Sequence, residues 1–197
     1  VHNQYNERLR AQGIDVDGMM QWLDDLLFKK YRGSRSRAYT LAITCALEHF
    51  TSIGAHALFD QRDVLREADP RVRALYAWHA IEEVEHKGVG YDVMIEYAKV
   101  GYVQRVVAML ETSIMFPLVI RRFTQQLLAA DGFSRWERFK LTAKGLWWTV
   151  KPGGFIAPMV AAYFTYYRVG FHPWQEADQR GYAEWLAAVS YTNLRTH

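Results

Sequence analysis

Two segments carry residues with the types and spacing of a metal site. The first is Ala46-Leu47-Glu48-His49-Phe50. The second is Trp78-His79-Ala80-Ile81-Glu82-Glu83-Val84-Glu85-His86-Lys87. Glu83 and His86 stand three apart, so a helix puts a carboxylate and an imidazole on one face, one turn apart. His79 lies four before Glu83 on the same stripe, which runs Val72, Leu75/Tyr76, His79, Glu83, His86, Gly90 and Val93. On the first segment Glu48 falls on a stripe of Leu41, Cys45, Ser52, Ala55 and Phe59, whose small members leave room beside the carboxylate. Buried charge is costly unless it is paired or binds a metal. No Lys or Arg is expected on either stripe at this level. Two inward carboxylates and an imidazole therefore point to a metal more readily than to a salt bridge.

Glu48, Glu83 and His86 are the expected metal ligands. Carboxylate and imidazole ligation with open positions suits iron or manganese, and zinc less specifically. His79 and Glu82 are the candidate catalytic groups, placed to orient a ligand imidazole or to move a proton. No residue is assigned to an organic cofactor. The blander alternative is that Glu82, Glu83, Glu85 and Lys87 form a solvated charged face. His49 points about 100° away from Glu48 on an ideal helix and reads as supporting or interfacial. His56 reads as structural. Glu111, alone in the apolar run Val106 to Ile120, reads as a rim position. Tyr76, Trp78 and Tyr91 suit packing or electron transfer equally.

These side chains need two helices to carry them. Apolar residues recur at three and four along the chain, with no sustained alternation, which predicts an all-α fold. A first helix is expected to end near Gly13. A second is capped by Asp17 and spans about 18–32. A long one runs from Ser36 to about Phe59. Asp69-Pro70 starts another that runs to about Lys99. Further helices are expected at 102–129, with a kink at Pro117, at Ser134 to Val150, near 156–168 and near 174–190. The turn between the two motif helices is centred near residue 65. Glu48 and Glu83 lie about equally far from it, so an antiparallel hairpin brings them to one height.

The chain has 197 residues, half of them hydrophobic, enough for one sizeable core. The expected division is a metal-binding helical bundle over 1–130 and an aromatic-rich helical extension over 131–197 packed on it. The balance of 24 Lys and Arg against 21 Asp and Glu gives a net charge of +3, with no basic run that calls for nucleic acid. The one cysteine, Cys45, permits no intrachain disulfide, and a cytoplasmic setting is the expectation. The uncharged run Pro152 to Tyr167 is shorter than a spanning helix and reads as buried or interfacial. Arg121, Arg122, Lys140, Lys144 and Lys151 read as solvated charge, with an anionic lipid surface or acidic substrate as the alternative.

With these residues in hand, the sequence resembles a bacterial family labelled predicted metal-dependent hydrolase. The resemblance rests on Ala46-Leu47-Glu48-His49-Phe50-Thr51, on Trp78-His79-x-x-Glu82-Glu83-x-Glu85-His86-Lys87, on Lys151-Pro152-Gly153 and on Phe171-His172-Pro173-Trp174. The family is similar to ferritin-like di-iron carboxylate proteins, which implies an antiparallel bundle with a di-iron centre and dioxygen-activating chemistry. The family label implies hydrolysis instead. The resemblance also implies a further glutamate helix and a Glu-x-x-His helix upstream of His2-Asn3-x-Tyr5-Asn6. Residues 1–12 read as cut mid-helix, so the chain is expected to lack that part. The alternative completion is a two-fold homodimer in which two copies of the 36–99 hairpin form one site.

The expected function is a di-metal enzyme acting on a small molecule, either a dioxygen-activating oxidase or oxygenase or a hydrolase. The competing reading is a non-enzymatic helical subunit that docks on a protein partner or a membrane surface.

Overall fold

The structure, a computed structural model, describes residues 2–60, 65 and 67–176. The described residues are helical with no strand, as the periodicity predicts. α1 is His2–Ala11. α2 is Val16–Asp24, continued by a wider π-wound stretch, Asp25–Tyr31, and a last turn, Arg32–Ser34. α3 is Arg37–Asp60 and α4 is Pro70–Asp92, with a π-wound continuation at Val93–Tyr97. α5 is Tyr102–Ala130, α6 is Arg135–Val150 and α7 is Met159–Thr165. A single 3-10 turn, Pro173–Glu176, follows. The remainder of the helix expected near 174–190 lies outside the described residues.

Local chemistry sets most of these boundaries. Ser36 Oγ accepts the Tyr39 amide at 3.1 Å and opens α3. Asp69 accepts the Arg71 amide at 2.8 Å, with Pro70 at the first helical position of α4. Ser134 and Glu137 form a reciprocal capping box at the start of α6. Two expectations are corrected. Asp15, not Asp17, caps α2, because its carboxylate reaches the Gly18 amide at 2.9 Å while Asp17 pairs with Arg10 at 2.6 Å. α7 begins at Met159 rather than near 156, after a turn that ends on Pro158. α5 runs through Pro117 as one helix.

The core forms where α3 packs against both α4 and α5. α3 contributes Ala42, Ile43, Cys45 and Ala46. α5 contributes Ala108, Met109 and Met115. α7 returns across α3 and brings Tyr166 and Phe171 into the same cluster. Among the described residues, α5 is long and apolar enough to cross a membrane by length and composition. Its Ala108-Met109-Thr112-Met115 face is buried in the helix packing. Its other side exposes Val103, Val107, Leu110, Ile114 and Leu118.

The C-terminal aromatic segment is pinned by one cation. Arg105 is buried and donates to the Tyr166 and Arg168 carbonyls at 2.7 and 2.8 Å. The rings of Tyr91, Tyr102, Tyr166 and Phe171 surround its guanidinium at 5.0–5.8 Å. Phe171-His172-Pro173-Trp174 docks on the end of α4. The Tyr91 hydroxyl donates to the Phe171 carbonyl at 2.6 Å, and His172 Nε2 meets Asp92 at 2.8 Å. Trp174 lies on Gly88, where a Cβ would fall 2.2 Å from the indole nitrogen, so only glycine admits the ring.

Candidate metal centre

The α3–α4 hairpin carries every expected ligand. Glu48 sits on α3, one turn beyond buried Cys45 and one turn before buried Ser52. Glu83, half-buried, sits on α4. Burial pushes the Glu48 carboxyl above the usual carboxylate range. The Glu83 charge pushes it further and the His86 imidazole pulls it back. The three groups are therefore electrostatic neighbours across the hairpin. Cys45, beneath Glu48, is pushed up to about 12, by burial first and by the Glu48 charge second. Its thiol is not a nucleophile at neutral pH.

His79 lies one turn before Glu83, and its Nε2 is 3.4 Å from Glu83 Oε1. Glu82 is half-buried on the adjoining face. It stands four residues before His86, within reach of that imidazole on a helix.

The rotation of α4 differs from the expected stripe. Its buried side carries Ala77, Ala80, Ile81, Lys87 and Tyr91, followed by Met94 in the π-wound turn. Val72, Tyr76 and Val93 are exposed. His86 is exposed as well, yet near enough to Glu48 to act on its carboxyl. Small Ala77 and Ala80 let α3 approach closely on the other side, and that contact sets the rotation. Glu83 and His79 consequently stand at the edge of the seam. Tyr5 of α1 meets Tyr76 at the same edge.

Lys87 is the residue the spacing argument missed. It is buried one turn after Glu83, with its ammonium 5.8 Å from the Trp174 ring. The expectation of no cation at this level is corrected. The signal was present in the spacing, since Glu83 and Lys87 are four apart.

Other candidates resolve into structural roles. His49 is buried, its Nε2 lies 3.2 Å from the Ala162 carbonyl, and its ring lies against Tyr166 and Phe171. Burial drives its pKa down to about 4, so it is neutral and ties α3 to α7. Glu111 pairs with Arg35 at 3.1 Å and accepts from Tyr39, a rim position as expected. Tyr91 is committed to packing and to its bond with Phe171.

The donor types fit a divalent cation, which would relieve the repulsion between Glu48 and Glu83. Among the described residues, however, no three His, Cys, Asp or Glu side chains stand close enough to hold an ion. Glu48, Glu83 and His86 therefore form no closed cage among the described residues.

Comparison with curated proteins and with solved structures finds no match. A family model does match, over residues 1–177, and its description is predicted metal-dependent hydrolase. The matched span takes in the α3–α4 hairpin, both motif segments and the docked Phe171–Trp174 turn. The chain belongs to this family of predicted metal-dependent hydrolases.

Proposed function

We propose that the chain is a metal-dependent hydrolase of small molecules, and that Glu48, Glu83 and His86 supply its ligands from the α3–α4 hairpin. The observation that carries this reading is the half-buried Glu48 carboxyl, raised by burial and by the Glu83 carboxylate facing it. Ordinary surface charges do not confront each other in this way, which speaks against a pure docking subunit. A bound divalent metal lowers the pKa of its water and so supplies a nucleophile near neutral pH. His79 steadies the Glu83 carboxylate and can take or return a proton at its imidazole. Glu82 orients His86.

Iron fits a Glu with a Glu-x-x-His best, with manganese and zinc as alternatives. The same pattern is half of a ferritin-like di-iron set and favours a second reading, dioxygen-activating oxidation. Two-fold pairing of the hairpin would supply the second Glu and Glu-x-x-His.

Chelator-treated protein reloaded with iron, manganese or zinc separates the two chemistries. The hydrolase reading expects turnover of an ester, amide or phosphoester panel without dioxygen uptake. Metal-dependent dioxygen uptake with no hydrolysis would overturn it in favour of oxidation.

A further inference from the structure

α6 is turned inside out for a helix in water. Its polar side faces the protein: Gln125 of α5 donates to Thr142 Oγ1 at 2.6 Å, and Arg138 donates to the Gln125 carbonyl at 3.3 Å. Its apolar side faces out. Trp136, Phe139, Ala143, Leu146, Trp147 and Val150 recur at three and four, one stripe about 100° wide. Every one of them is exposed, Trp136 at 62% and Trp147 at 64%. Soluble chains bury such a stripe or use it.

The border of the stripe is cationic. α6 carries Arg135, Arg138, Lys140 and Lys144 against a single acid, Glu137. The Lys140 ammonium stands 5.2 Å from the Trp136 ring, so its alkyl stem lies along the aromatic surface. Between α5 and α6 a cavity of about 350 Å³ is lined by Arg121, Arg122, Gln125, Gln126, Ala129 and Arg138. No carboxylate lines it. Arg138 Nε is buried there without a hydrogen-bond partner. Arg122 lies over the Trp22 ring at 4.3 Å.

We infer that α6 docks on an anionic lipid bilayer: its Trp/Phe/Leu stripe enters the headgroup boundary, and Arg135, Lys140 and Lys144 beside it take lipid phosphates. Trp and Phe flanked by Lys is the composition of an interfacial helix. A second copy of this chain is the poorer occupant, because a two-fold contact sets these cations against themselves. An anionic membrane satisfies the apolar stripe and the cationic border together.

The test is cosedimentation of the full chain with phosphatidylcholine vesicles, with and without a third phosphatidylglycerol. Binding is expected only to the anionic vesicles and weakens as salt rises. Lys140→Ala/Lys144→Ala should weaken it roughly thirtyfold. Trp136→Ser/Trp147→Ser should abolish it. Both pairs are exposed, so circular dichroism should stay unchanged. Failure to bind anionic vesicles overturns the inference, as does binding indifferent to either pair of changes. Two further outcomes also overturn it. One is a concentration-dependent dimer broken by Trp136→Ser/Trp147→Ser, which would make this face an interface between copies. The other is binding of inorganic phosphate without binding of vesicles. Neither variant touches the α3–α4 hairpin, so metal content reads the metal-centre proposal separately.

Discussion

The Glu48 carboxyl on α3 and the Glu83 carboxylate on α4 confront each other across the hairpin, and the second charge raises the pKa of the first. Two like charges held together at a half-buried level destabilise the metal-free fold. Glu48→Gln removes the repulsion while keeping the shape. In the presence of a chelator, the variant is expected to melt at the same temperature as the parent or above it. In the presence of metal, the parent should gain stability that the variant does not. A clear loss of stability in the chelated variant would show that Glu48 holds a structural bond instead.

His49 makes the fold acid-sensitive. Its pKa falls from 6.5 to about 4 on burial, so the unfolded chain binds a proton that the folded chain refuses. Stability therefore drops as pH falls from about 6.5 toward 4, and His49 contributes no slope above that window. Melting temperature against pH should show the decline. His49→Gln should flatten it, and an unchanged slope would remove His49 as the cause.

Arg105 and Tyr166 occupy the same aromatic cluster with opposite consequences. The Arg105 side chain caps two carbonyls, so Arg105→Ala should cost roughly 3 kcal/mol and loosen the segment up to Phe171. The Tyr166 hydroxyl is buried with no hydrogen-bond partner. Tyr166→Phe should therefore leave stability unchanged or raise it by about 1 kcal/mol. Urea titration measures both. Destabilisation by Tyr166→Phe would reveal a partner for that hydroxyl.

Gly88→Ala places a methyl group against the Trp174 indole. The ring, not the helix, is the part able to move. Expected are unchanged helicity, redder tryptophan emission and loss of the contact over Lys87. Unaltered emission would mean that the ring accommodates the methyl in place.

Much of the fold is legible in the sequence because helix starts are local chemistry. Ser36, Asp69-Pro70 and Ser134 with Glu137 announce α3, α4 and α6 on their own. The rotation of α4 is less legible. Its buried side is set by small Ala77 and Ala80 against α3, while Val72 and Val93 are larger and more apolar yet exposed. Hydrophobicity ranks them above alanine, whereas packing needs the close approach that alanine permits. The same rotation leaves His86 exposed and buries Lys87, neighbours that a stripe of three-and-four spacing does not separate. α6 reads as a short helix from its cap, but its orientation follows from Gln125 of α5, a tertiary contact with no local signal.

The central claim is that Glu48, Glu83 and His86 bind metal. Elemental analysis of protein purified without added metal, parent beside Glu83→Gln, tests it most directly. The account predicts bound iron, manganese or zinc in the parent and its loss in Glu83→Gln, with both proteins equally helical. Metal retained in full by a folded Glu83→Gln variant would contradict it.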